Sequence, residues 1–337
     1  MIQQFDFQHF GPLEQLSAQN LGKINLIIGA NSTGKTFLLK ALYSIIRTQE
    51  EFGRGDERRD FAEVLSDKLY WTYQARLGDL VSKGKNRRLK ASVTMDNNCS
   101  VAFELGQDTI KKVTPLHNNL PARDANSIFL PPKEVLSLGK VILKSRMQDR
   151  EFGYDDTYLD LVVALQKQGQ KERSFTAFKH SQEHLEDMFE GRIEYDEKAE
   201  NWIYKKGNSK FSIHMTAEGV KKIGILDTLL SNRTLSPQSV IFIDEPESAL
   251  HPTAISQLMD IIRILADNGI QFFIASHSYF VIKKLFLIAL DTGWELPVLH
   301  HKDNHWHFDD LKEGMPDNGI INESIHLYEQ EIGLALD

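Results

Sequence analysis

One octapeptide, Gly29-Ala30-Asn31-Ser32-Thr33-Gly34-Lys35-Thr36, restricts this chain more than any other stretch. It is a complete phosphate-binding loop. Glycines at both ends let successive backbone N–H groups turn inward around one phosphate. Lys35 can then neutralise the β and γ oxygens, and the Thr36 hydroxyl can hold Mg²⁺. A helix opening near Gly34 adds its positive end to the same anion. The flanks fit this geometry. Ile24 to Ile28 reads as a buried strand entering the loop, and Phe37 to Tyr43 reads as the helix leaving it. Strand, loop and helix in that order predict a parallel α/β sheet that takes ATP with magnesium.

A second signal lies far downstream. The apolar run Val240-Ile241-Phe242-Ile243 ends in Asp244-Glu245. In an open α/β sheet, ligands sit beyond the carboxyl ends of the strands. Asp244 is therefore placed for the magnesium shell, and Glu245 for the attacking water of an in-line phosphoryl transfer.

The chain has 337 residues, enough for one large α/β domain or a domain with an insertion. No apolar run approaches a membrane span. Met1 to Phe7 alternates like a strand and lacks a signal peptide's charged-then-apolar order. Cys99 is the single cysteine, which excludes an internal disulfide, and a cytoplasmic location is expected. A net charge of −8 argues against a strongly electrostatic nucleic-acid binder. Lys83 to Lys90 is locally basic, either a patch or a solvated loop.

Further elements follow from pattern. Phe5, Phe7 and Phe10 with the Gly11-Pro12 turn make a short β-unit. Asp60 to Leu80 reads as a helix. Ala91 to Met95, Val101 to Leu105 and Thr109 to Val113 read as a small antiparallel sheet. Ser127 to Leu130 is a strand stopped by Pro131-Pro132. Lys140 to Glu190 is helical, with breaks near Phe152-Gly153 and over Gln166 to Arg173. Short strands at Arg192 to Tyr195, Trp202 to Lys205 and Phe211 to His214 precede a helix from Met215 to Leu230. A helix from Pro252 to Ala266 and a strand from Gln271 to Ala275 continue the core, and a final helix is expected around Asn322 to Leu336. The expected organisation is an N-terminal lobe over 1–130, an insertion of helices and short strands over 131–214, and a C-terminal lobe over 215–337. The absence of heptads excludes a long coiled coil.

Asp244-Glu245-Pro246-Glu247-Ser248-Ala249-Leu250-His251-Pro252 resembles the Walker B and D-loop of ABC-type ATPases. The likeness is to the soluble SMC-like and RecF-like branch and to the ATPase half of the OLD (overcoming lysogenisation defect) family. Ser276-His277-Ser278 resembles the family's switch-histidine loop, which implies that His277 senses the γ-phosphate. The resemblance implies an ABC-type head with a mostly parallel central sheet, an antiparallel β-subdomain and a helical insertion. It also implies catalytic roles for Lys35, Glu245 and His277, nucleotide contacts along Gly29 to Phe37, and magnesium at Thr36 and Asp244.

Two family elements correspond less closely. Met215 to Lys222 stands where the signature segment is expected, without its serine. Thr216 and Gly219 would then face the nucleotide of a second subunit. The other reading is an ordinary helix capped by Thr216, with Lys221 and Lys222 exposed. The loop that normally carries a glutamine is Leu130-Pro131-Pro132-Lys133-Glu134, where Lys133 or Glu134 substitutes at the metal or the prolines merely end a strand.

Leu299 to His307 contains four histidines but no completed zinc pattern, so a hairpin turning at Asp303-Asn304 is expected. Nothing after His277 has the length or carboxylates of a TOPRIM-like nuclease half. The expected protein is an ATPase that forms a homodimer, or a larger oligomer, around ATP. It would gate a separately encoded nuclease or toxin in a bacterial antiphage or toxin–antitoxin-like system. The alternative is a RecF-like repair ATPase that binds DNA, using Lys83 to Lys90 and Lys140 to Arg150.

Overall fold

The computed structural model describes residues 1–56, 58–167, 178–189, 191–197 and 199–336. The expected break over 166–173 therefore lies mostly outside the described residues. The chain opens with β1 (Ile2–Phe10) and β2 (Leu13–Ala18), a hairpin whose buried side chains include Phe5, Phe7, Phe10, Leu13 and Leu16. Gly11 turns it at φ 57°, and a Cβ there would fall 2.4 Å from the Phe37 ring. Only glycine suits that position. Next come β3 (Ile24–Ile28), α1 (Lys35–Glu51) and α2 (Phe61–Tyr73). Asp60 and Glu63 form a capping box at the start of α2. Gln74 ends that helix in the left-handed region, so the expected helix to Leu80 stops early, and Leu77–Leu80 is a separate 3₁₀ turn.

β4 (Arg88–Met95), β5 (Ser100–Gly106) and β6 (Thr114–Asn118) join the hairpin in one antiparallel sheet of order β2-β1-β4-β5-β6. The third of these strands was expected at Thr109 to Val113. Thr109 instead closes a turn, its hydroxyl accepting from Gly106 N at 3.0 Å. Every side chain of β6 is exposed, which leaves no alternation to read.

The middle contains β7 (Ile128–Leu130), α3 (Gly139–Leu143), which runs into a π-helical turn, α4 (Asp156–Leu165) and α5 (Lys179–Phe189). β8 (Arg192–Asp196), β9 (Asn201–Lys206) and β10 (Ser209–Ser212) form a small antiparallel sheet. Then follow α6 (Glu218–Ser231), β11 (Val240–Asp244), α7 (Pro252–Asp267) and β12 (Gln271–Ser276). The chain continues through α8 (Tyr279–Thr292), β13 (Pro297–Lys302), β14 (His305–Asp310) and α9 (Gly319–Leu336). Among the described residues no helix is long and apolar enough to cross a membrane.

The central sheet has the order β14-β13-β3-β12-β11-β7, parallel except for β14. Its strands are buried on both faces. Val240, Phe242, Phe273 and Leu299 pack under α1 and the antiparallel sheet. Ile241, Ile243, Phe272 and Ile274 pack under α4, α6, α7 and α8. Continuous apolar runs in these strands follow from that double burial.

Ionic contacts fasten α4 to α1 and α2. Lys40 lies 2.7 Å from Asp155, and the Tyr43 hydroxyl donates to Asp160 at 2.6 Å. Lys68 reaches Glu51, Asp156 and Asp160 at 3.0–3.1 Å. Arg146 donates to Asp156 and lies 3.8 Å over the Trp71 ring.

Candidate nucleotide site

Parallel topology brings the carboxyl ends of β3, β12 and β11 side by side. The loop after β3 wraps tightly into α1. Ser32 and Gly34 adopt φ 66° and 96°, which turn the backbone inward. Gly29 is closely covered, since a Cβ there would meet Thr33 Oγ1 at 2.9 Å and His301 Cβ at 3.1 Å. Ala30, Asn31 and Ser32 are exposed at the loop's tip. The Thr33 hydroxyl donates to Ala30 O at 3.0 Å and pins the turn. Lys35 is buried, and its ammonium donates to Gly29 O and Ala30 O at 2.7 and 2.9 Å. Burial lowers its pKa against the pull of Asp244, Glu245 and Glu247. A cation in that position favours the arrival of further negative charge. Phe37 turns the other way: its ring packs 4.4 Å from Tyr73 and 5.2 Å from Phe10, between centroids, and anchors the loop to the N-terminal hairpin.

The Thr36 hydroxyl donates to Asp244 Oδ2 at 2.8 Å, joining the start of α1 to the end of β11. Asp244 is 3% exposed. Burial pushes its carboxyl up to about 6, opposed by the Thr36 hydrogen bond. An oxygen-only pair around a buried carboxylate suits a hard divalent cation such as magnesium. Glu245 follows at φ 50°, its N–H donating to Ala275 O at 2.9 Å. This left-handed kink turns the chain off the strand and sets the Glu245 side chain beside His277, with Oε1 3.5 Å from Nδ1.

Glu247 belongs to the same constellation, although no role was read for it in the sequence. Its Oε1 accepts from the Ser276 hydroxyl at 2.8 Å and from His277 N at 3.0 Å. It therefore holds the D-loop against the switch-histidine loop. The only sequence signal for it is its place two residues beyond Glu245, because its partners come from another strand. Lys222 is a second such residue: its ammonium donates to Glu245 O at 3.4 Å, and burial lowers its pKa against Glu247 and Glu245.

The signature-like segment sits next to this group. α6 begins after Ala217, which caps it without a side-chain bond. Thr216 is not its cap; its hydroxyl donates to Ser212 O at 3.1 Å. Lys221 is not exposed either, being 4% accessible and paired with Glu218 and Glu134 at 2.8 and 3.3 Å. Gly219 permits a close approach, since a Cβ would lie 2.9 Å from Leu250 Cδ2 and 3.2 Å from Ala249 O. The start of α6 and the D-loop thus form one surface, with Met215 84% exposed at its rim. Glu134 and Lys133 line one cavity with Asp244 and Lys222, and Glu134 makes no direct hydrogen bond to Thr36 or Asp244. One of its oxygens takes the Lys221 contact and the other accepts from Ser137 N at 3.1 Å.

The histidine-rich hairpin forms as expected, turning through Asp303 and Asn304 at φ 50° and 63°. Among the described residues no cluster of metal ligands is present there or elsewhere.

This sheet order, loop set and antiparallel subdomain define an ABC-type ATPase head. The sequence belongs to the AAA family described as "AAA domain, putative AbiEii toxin, Type IV TA system", which matches residues 24–283. The fold is also that of solved SMC head domains. An Smc head bound to the C-winged helix domain of ScpA is similar with TM-score 0.53 and 12% identity, covering 92% of this chain and 97% of that chain. An Smc head with an extended coiled coil, bound to the C-terminal domain of ScpA derived from Pyrococcus furiosus, gives TM-score 0.54 and 10% identity, covering 98% of each chain. No curated protein matches the sequence.

Proposed function

We propose that this chain binds ATP with magnesium, closes into a homodimer around it, and hydrolyses it slowly to gate a separately encoded nuclease or toxin. The observation that carries the reading is the 2.8 Å contact between Thr36 and Asp244 beneath the loop, with Glu245 and His277 on the adjoining strand ends. Loop amides and Lys35 bind the phosphates, and Thr36 and Asp244 hold magnesium. The metal supplies screening of the phosphate charge. Glu245 orients the attacking water and accepts its proton. His277, steadied through its backbone by Glu247, donates to the γ-phosphate and loses that contact when phosphate leaves.

The paired surface of α6 and the D-loop supports the dimer. It offers the amides at the start of α6, near Thr216 and Gly219, to a partner's nucleotide. The family description supports a toxin–antitoxin-like setting. The Smc heads bound to ScpA support a head that holds another protein. The RecF-like alternative is weakened by ion pairing. Arg87 pairs with Glu14, Arg88 with Glu104 and Arg146 with Asp156, which leaves less free positive charge for DNA.

The test is to purify Glu245→Gln from its host with ATP and magnesium and identify what co-elutes. A stoichiometric protein with nuclease or toxin features is the expected result. DNA, or repair proteins alone, would overturn the effector reading.

A further inference from the structure

The phosphate end of the site has a direction. Asp244 and Glu245 follow β11 and His277 follows β12, while β13 flanks β3 on the opposite side. A triphosphate whose γ end faces those carboxylates leads its nucleoside away from them, over the end of β13. The parallel register there pairs Leu299 with Ile27 and His300 with Ile28. The next residue, His301, therefore stands beside Gly29, the first residue of the loop. The approach is close enough that a Cβ on Gly29 would lie 3.1 Å from the Cβ of His301.

Across the hairpin His301 pairs with Trp306, their rings 5.3 Å apart and inclined at 76°. Both are half-buried, and Trp306 rests on the apolar cluster that also holds α1. Strand alternation sends the neighbouring His300 to the other face, where its Nε2 lies 2.7 Å from Asp309. His301 and Trp306 are thus two partly accessible aromatic rings on the α1 face, at the sheet edge from which the loop rises.

We propose that His301 and Trp306 form the subsite for the base of the bound nucleotide, a purine stacking on their rings. This rests on the nucleotide reading above. Burial, with His305, His307 and Lys35 nearby, holds the His301 imidazole below its ordinary pKa. An uncharged ring offers a π-face together with one donor and one acceptor. Aromatic stacking of this kind tolerates any base, and the imidazole nitrogens add preference.

The test is calorimetric binding of Mg-ATP and of Mg-tripolyphosphate, which has no base, to the wild-type, His301→Ala and Trp306→Leu proteins. Each substitution is expected to weaken ATP about tenfold and to leave tripolyphosphate within about twofold. Equal losses for both ligands in His301→Ala would mean that the hairpin only props the loop, and would overturn the proposal. Unchanged ATP affinity in both variants would also overturn it. His301→Ala removes little buried surface and so carries the result if Trp306→Leu is unstable. Wild-type protein that takes up neither ligand would instead sink the nucleotide reading, and the subsite with it.

Discussion

Thr36 and Asp244 lie far apart in sequence yet share a hydrogen bond, and both were identifiable without the structure. Each belongs to a short motif whose chemistry is carried by local backbone geometry: a glycine-bounded loop in one case, an apolar strand ending in carboxylates in the other. The positions of Glu247 and Lys222 beside these residues, and of His301 beside Gly29, were not legible, because their contacts come from other strands and helices. The alternative reading of Met215 to Lys222, an ordinary helix with Lys221 exposed, fails at Lys221, since nothing local announces Glu134 across the fold. Two predictions belong at this scale. Lys35→Ala weakens Mg-ATP about a hundredfold or more in calorimetry, by loss of a charged, buried donor. Unchanged affinity would remove the loop assignment. His277→Ala slows turnover about a hundredfold while ATP affinity stays nearly constant. Normal turnover would make the histidine structural.

At the scale of elements, periodic segments flanking the motifs were legible, and non-local pairings were not. The N-terminal hairpin pairs through β1 with β4, a register no local pattern encodes. α6 carries its own pH signature. Burial, with Glu186 adding to it and Arg192 opposing it, pushes the Asp227 carboxyl up to about 7. A raised carboxyl pKa penalises the folded state only where the group must ionise. The cost is absent below its unfolded pKa near 4, grows as pH rises, and is complete above about 7. Urea unfolding should show roughly 2 to 3 kcal/mol of stability lost between pH 5 and 8 that Asp227→Asn retains. Parallel profiles for the two proteins would contradict this. The tie between α1, α2 and α4 makes a second prediction. Lys68 is 6% exposed, and the pull of Asp160, Asp156 and Glu51 outweighs its burial and keeps it charged. Lys68→Met removes one cation from a cluster in which Arg146 still faces Asp156 and Arg47 still faces Glu51 and Asp160, and the lost charged hydrogen bonds should cost about 2 to 3 kcal/mol in the same unfolding assay. A loss below about 1 kcal/mol would show that the network is solvated.

For the whole molecule, the head fold and its family follow from motifs spaced along both lobes, whereas the biological setting does not. A partner is recognised by surfaces, and surfaces have no periodicity. In the proposed dimer ATP joins two copies, each completing the other's site through the start of α6 and the D-loop. Gly219→Val, which would press on Leu250, should separate the two functions by sparing ATP binding and impairing closure. The most direct measurement is the mass of Glu245→Gln by light scattering on a sizing column, at saturating ATP with magnesium and again with ADP. A doubled mass is expected with ATP alone, lost again when Lys35→Ala or Gly219→Val is added. A single-chain mass at saturating ATP would contradict it.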